Sequence, residues 1–242
     1  MAGLDSNTKL MLHCNGTDES TTFIDDSDSA HTVTAQGTAQ LDTAYKKWGI
    51  ASGWFDGNSD YLSIPDSVDW DILSNTTNDW TVDFWTRING SGYKNWIWQS
   101  VDVTHRYGLY MSGNDYVVYY AVNGGTADSC TTTTDMDDGN WHHVALIIKG
   151  SDLGIYINGN QEAYVSRTVT GTFAVDLNIG RLHIPSVLTR YTNASIDEFR
   201  VQKSNYFLAS PNSGKTDTIT VPTAEYSEEA GILVPNQSII IL

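Results

Sequence analysis

The sequence predicts an all-β protein in which two antiparallel sheets pack face to face as a jelly-roll sandwich. Three observations carry that expectation. Short runs rich in Val, Ile, Thr, Tyr and Trp succeed one another from residue 9 to 201, separated by Gly, Asn, Asp and Ser clusters that read as turns. The segment WTVDFWTRI at 80–88 alternates cleanly, which is the period of a strand. No long stretch has a helical period, and no internal repeat is present. A chain of 242 residues, 40% hydrophobic and 11% aromatic, is long enough to bury a real core. Only 5 prolines argue against a disordered linker protein.

The elements follow in order. Residues 9–14 are a first strand and 21–24 a short second one, before the acidic turn at Asp25, Asp26 and Asp28. Strand-like pieces at 31–35 and 40–41 flank Gly37, and 49–55 leads into the turn DGNSD at 56–60. Asp56, Asn58 and Asp60 imitate the start of an EF-hand loop, but Tyr61 and Ser67 stand where that loop needs Gly and Glu, so a hairpin turn is expected. Residues 61–64 pair back, ending at Pro65. On 80–88, Trp80, Val82 and Phe84 share one face, with Thr81, Asp83 and Trp85 on the other. Trp96 and Trp98 are expected on one face of the next strand, and 107–111 and 116–122 form a tyrosine-rich pair. Residues 144–148, β-branched and aliphatic without Gly or Pro, read as a strand buried on both faces. Neighbouring side chains of a strand point oppositely, so His142 and His143 are expected to pack rather than to share a metal. Asn158-Gly159 supplies the positive φ values of a type I′ hairpin between strands at 154–157 and 161–165. Strands at 177–180 and 196–201 close the main body.

Composition bounds the function. The net charge is −16, from 29 acidic and 13 basic residues, which repels phosphate backbones and excludes nucleic acid as a partner. The acid lies in turn-like clusters, read either as turn chemistry or as calcium-binding oxygen donors. Cys14, in a strand, and Cys130, in a stretch read as a Ser/Thr-rich loop, are expected as free thiols. No stretch approaches the roughly 20 apolar residues of a membrane helix, so no membrane insertion is expected. The first residues have neither a basic region nor an apolar core, so no Sec-type export signal is expected. The glutamates Glu19, Glu162, Glu198, Glu225, Glu228 and Glu229 form no E-x-D-x-E strand, and no G-x-S-x-G, C-x-x-C or H-E-x-x-H pattern occurs. A non-catalytic protein is expected.

Four segments in this order resemble the laminin-G-like family of the concanavalin A-like lectin and glucanase group: FDGNSDYL at 55–62, WTVDFWTRI at 80–88, NWHHVA at 140–145 with YING at 156–159, and IDEFRV at 196–201. LMLHCNG at 10–16 is similar to the family's first strand. The resemblance covers residues 8–207 and implies one jelly-roll domain, 1–207, with a C-terminal extension at 208–242. It also implies a structural calcium near a rim, with Asp25, Asn15 and Asp197 as ligands. Two departures from the family's pattern bear on that set, Asp28 where Gly is usual and Asn15 where Asp is usual.

The resemblance implies a surface structural or adhesion protein. The expected setting is a phage virion component, on the virion surface or otherwise extracellular. The alternative is a secreted or cell-surface carbohydrate-binding module of a bacterium. Glycans are the expected ligands, with Trp96, Trp98, His105, Arg106 and Tyr119 as the residues to hold them, because aromatic faces stack on sugars while polar groups take hydroxyls. The tail ends in Ser238, Ile239, Ile240, Ile241 and Leu242, an apolar strand expected to be buried either on its own domain or by addition to a neighbouring subunit, with the acidic EYSEE at 225–229 keeping the connecting arm solvated. The intersubunit version is the expected one, giving a homo-oligomer or array, with itself or other virion or surface proteins as partners.

Overall fold

Alternation in the sequence becomes two layers in the computed structural model, which describes residues 2–90, 92–113 and 116–228. In chain order, β1 (Ala2–Leu4), β2 (Thr8–Leu12), β3 (Thr34–Gln36), β4 (Gln40–Asp42), β5 (Ser52–Asp56) and β6 (Tyr61–Ile64) precede a 3-10 turn at Val68–Trp70. Then come β7 (Trp80–Ile88), β8 (Lys94–Asp102), β9 (His105–Met111), β10 (Val117–Asn123) and β11 (Thr126–Thr131). The remainder is β12 (Trp141–Lys149), β13 (Asp152–Ile157), β14 (Asn160–Ser166), β15 (Leu177–Ile179), β16 (Arg181–Ile184), β17 (Leu188–Tyr191), β18 (Asn193–Gln202) and β19 (Ser227–Glu228). One antiparallel sheet runs β11-β10-β9-β8-β15-β6-β3; the other runs β14-β13-β12-β7-β18-β5-β4, with β2 also on β18. Among the described residues no helix is long and apolar enough to cross a membrane.

The core lies between the sheets. Trp80, Val82 and Phe84 of β7 point into it, as their period requires. The Phe84 ring stands 5.3 Å from Phe199 and 5.4 Å from Trp96. On β12, Val144, Leu146 and Ile148 enter the core while Ala145 and Ile147 face outward. The outward pair is nevertheless buried, against Tyr156, Ala209 and Ile219. His142 therefore lies on the core side of the strand, bonded to Asp138 and Asn158, and His143 on the other, bonded to Asp83. The hairpin at Asn158 (φ 49°) and Gly159 (φ 89°) takes the positive backbone angles its sequence demands. Cys14 and Cys130 are unbridged.

Four expectations need correction. Residues 21–24 form no strand; Phe23 anchors the segment by burying its ring while Ile24 stays exposed. The Ser/Thr-rich stretch around Cys130 is β11, an edge strand pairing with β10 alone, so its polar side chains remain in solvent. The hairpin of β16 and β17 lies in sequence read as connection. Residues 208–228 are also not a free arm. Ala209 and Ile219 pack on β12, Asn160 bridges Thr218, and β19 pairs in parallel with β1. This segment seals the outer face of one sheet, leaving the outer face of the β8–β11 sheet as the open one. The expected assembly residues Ser238, Ile239, Ile240, Ile241 and Leu242 lie outside the described residues.

Candidate functional site

Two faces of β9 have different chemistry. Tyr107, Leu109 and Met111 are core residues, so Arg106, Gly108 and Tyr110 point outward. On β10, Val117, Tyr119 and Ala121 are core, which turns Tyr120 outward beside them. From β8, Trp98 lies directly across Gly108, where any Cβ would collide with the indole. The hairpin of β16 and β17 sits on this platform, with Leu182, Ile184 and Leu188 packed around Trp98. The Trp98 indole N–H donates to the His183 carbonyl (3.0 Å), so the ring serves as the groove's foundation and is 2% exposed.

Between platform and hairpin runs a groove of about 320 Å³, formed by Tyr93, Arg106, Tyr110, Tyr120, Leu188 and Arg190 above the buried ring of Trp98. Among the described residues no carboxylate lines it. Tyr93 and Tyr110 stack with centroids 6.5 Å apart, the Arg190 guanidinium lies 3.3 Å over the Tyr93 ring, and Arg106 lies 5.1 Å over Tyr120. Burial pushes the Tyr110 phenol above its ordinary range, keeping it a neutral hydrogen-bonding group. Tyr93 and Arg190 also border a second depression of about 480 Å³, which holds Asp56, Lys94, Tyr191 and Asn193. The surface is thus long enough for more than one ring of a ligand, apolar in its faces and polar at its edges.

Of the five residues expected to hold a glycan, Trp98 and Arg106 line this groove. Trp96 and Tyr119 do not reach it. Both are fully buried core residues, and a ring with no exposed face cannot stack on a sugar. Trp96 is turned inward by a β-bulge between Asn95 and Ile97, which places the two indoles on opposite faces of β8. His105 stands at the start of β9 on the face opposite Arg106, held by Asp102. Tyr93, Tyr110, Tyr120 and Arg190 line the groove without being among those five. A signal for the first face was present in Arg106, Gly108 and Tyr110, a period of two in which the small residue marks where a large ring crosses.

The expected calcium ligands do not fit an ion as arranged. Asp25 Oδ1 accepts the backbone N–H groups of Met11 (2.9 Å) and Ser27 (3.0 Å), and Oδ2 accepts that of His31 (2.7 Å). The carboxylate is a clamp on the chain rather than a free donor. Asp197 Oδ2 accepts from the N–H groups of Lys47 (2.8 Å) and Trp48 (3.0 Å), so this carboxylate too is engaged by the backbone. Asn15 Oδ1 accepts the Ile50 N–H (2.8 Å), while its amide donates to Glu225 (2.7 Å). Nearby, His13 and Glu198 pair at 2.6 Å beside Glu225. Glu198 is brought there by a bulge at which its φ is 53°, and its other oxygen accepts the Tyr226 N–H (2.8 Å). This corner ties β2, β18 and the C-terminal segment together.

Comparison with known proteins agrees with this architecture. No curated protein matches the sequence. Among solved structures, the binding domain of Paraclostridial Mosquitocidal Protein 1 is similar, with a TM-score of 0.62 at 13% identity over 82% of this chain and 49% of that one. The binding domain of botulinum neurotoxin serotype C1 has a TM-score of 0.61 at 14% identity, covering 82% and 49%. That of botulinum neurotoxin DC in complex with SialylT has 0.61 at 14%, covering 82% and 48%. The chain spans about half the length of these proteins, and at such identity the likeness is one of fold. A laminin G family model matches residues 56–206, more than half of the sequence. The chain belongs to the concanavalin A-like lectin/glucanases superfamily.

Proposed function

We propose that this chain is a non-catalytic glycan-binding module whose site is the groove between the outer face of β8–β10 and the hairpin of β16 and β17. The observation that carries the reading is the lining: three tyrosines and two arginines on one open face, with no carboxylate among them. Tyrosine rings offer apolar faces to the C–H faces of a sugar, and guanidinium and phenol groups take its hydroxyls. A glycosidase needs two carboxylates across the scissile bond, and the described residues of the groove supply none. The similar solved structures support the class of function: they are binding domains, one in complex with SialylT, and cell entry of botulinum neurotoxin type C is dependent upon interaction with two ganglioside molecules. Those ligands belong to those proteins, of which only half is matched.

A glycan panel probed with the purified chain tests the reading. Binding is expected without release of reducing ends, and Tyr110→Ala should weaken it about tenfold, corresponding to about 1.4 kcal/mol of stacking and contact. Absence of binding to every glycan, or turnover of one, would remove the proposal.

The finer setting we propose is a surface protein of a virion that self-associates through its C-terminal end. Support for it lies in the sequence, where an apolar, β-branched SIIIL follows the acidic EYSEE at 225–229. Residues up to 228 pack on the domain, so the informative deletion is 229–242. The full chain is expected to be oligomeric by mass in solution and the deleted chain monomeric. Equal masses would exclude the tail as the connector.

A further inference from the structure

Six arginines are present, and their partners separate them into two groups. Arg87 donates to Asn89, Arg167 to the Asn75 and Gly150 carbonyls, Arg181 to Asn178, and Arg200 to Asp83, Gly3 and Tyr226. Each is held by the fold through at least one hydrogen bond, although Arg167 Nε and Nη1 and Arg181 Nε are themselves buried without an acceptor. Arg106 and Arg190 alone have guanidinium groups with no hydrogen bond and no ion pair among the described residues, and both line the same groove. Arg106 is the more telling of the two. Its Nε and Nη1 are buried and have no acceptor. An unsatisfied buried donor on a cation is costly, and native proteins rarely retain one without a reason.

Geometry indicates what would satisfy them. Each guanidinium rests on a tyrosine ring, Arg190 on Tyr93 and Arg106 on Tyr120, which fixes its plane; Arg190 keeps its edge free, while on Arg106 Nη2 is the nitrogen not buried. A planar guanidinium with a free edge matches a carboxylate through two parallel hydrogen bonds. Tyr110 lies between the two: after burial and the neighbouring Tyr93, its phenol responds to the charges of both Arg190 and Arg106. In a chain of net charge −16, two cations facing a lining without acid form a local reversal of sign. Such a field draws anions into a place the rest of the surface repels.

We propose that Arg106 and Arg190 make the groove selective for glycans bearing a carboxylated sugar, the guanidinium groups taking the carboxylate while Tyr110 and Tyr120 carry the ring. This rests on the glycan-binding reading above, and the following experiment separates the two. Binding of the full chain is measured by calorimetry to trigalacturonate, to its methyl ester, to 3′-sialyllactose, to lactose and to dextran sulfate. The expected result is at least tenfold tighter binding of the carboxylated member of each pair, reduced to parity by Arg106→Gln or Arg190→Gln. Both variants should melt within about two degrees of the parent, since neither guanidinium makes a hydrogen bond or ion pair to the fold and each has only its stacking on a tyrosine; a larger drop would mean that the arginines are structural and would overturn the assignment. Equal binding of acid and ester would refute the selectivity while leaving the glycan-binding site in place. Binding to dextran sulfate as tight as to the carboxylated sugars would replace the carboxylate site with unspecific attraction of anions. Binding of none would remove both proposals together.

Discussion

Arg200→Ala is expected to lower the free energy of unfolding by about 3–5 kcal/mol, the cost of leaving one partner of a buried ion pair alone. Arg200 and Asp83 are both fully buried on adjacent strands, with Nε donating to Oδ1 at 2.9 Å. Burial by itself would raise the Asp83 carboxyl; the Arg200 charge and the bonds from His143 and Tyr226 outweigh it and hold the group below its ordinary value. The guanidinium also donates to the Gly3 carbonyl and the Tyr226 hydroxyl, and lies 3.9 Å over Tyr206 and 3.8 Å over Tyr226. One side chain thus joins β18 to both chain ends. Its removal should also loosen residues 205–228, read as increased hydrogen exchange there. The double replacement Asp83→Leu with Arg200→Leu should cost less than Arg200→Ala alone, because it leaves no charge in the interior. Urea denaturation of the three proteins decides the matter, and a loss under about 1 kcal/mol for Arg200→Ala would show that the pair contributes little.

The sandwich was legible because its strands have a clean period and its turns have specific chemistry. Trp80, Val82 and Phe84 entered the core as their spacing requires, and Asn158-Gly159 turned as its backbone preferences require. The site was legible only in part, for physical reasons. A bulge shifts parity without a sequence mark, so Trp96 and Trp98, apparently on one face, stand on two. Tyr119 and Tyr120 are identical residues on opposite sides of a strand, and only the packing of Ala121 and Val117 tells which is core. Arg190 enters from a four-residue strand whose docking depends on Trp98, a tertiary contact with no local signature. Asp25 illustrates the converse error: an acidic turn residue that looks like a ligand serves three backbone N–H groups, and hydrogen bonds of that kind are invisible before the fold is known.

Asp197 leads to the second large effect, and its sign depends on pH. The side chain is fully buried, Oδ2 accepts two backbone N–H groups, and Oδ1 has no partner. Burial, followed by the opposing pull of the Trp48 and Lys47 N–H groups and the push of Glu198, leaves the carboxyl pushed up to about 8. In the unfolded chain an aspartate titrates near ~3.9. Between those values the folded protein holds a proton that the unfolded chain has released. Stability is therefore fully present below about pH 4, falls as pH rises, and levels off above about 8. An asparagine at this position would keep the neutral hydrogen-bond pattern and shed that dependence. Asp197→Asn is expected to match the parent near pH 4 and to exceed its stability by about 5–6 kcal/mol near pH 9, since each of the roughly four pH units between the two titrations carries about 1.4 kcal/mol. The measurement is the urea midpoint of both proteins at the two pH values. If the variant is equally stable or weaker at the alkaline value, the folded carboxyl is already ionised well below pH 8 and the clamp on Lys47 and Trp48 is a charged one.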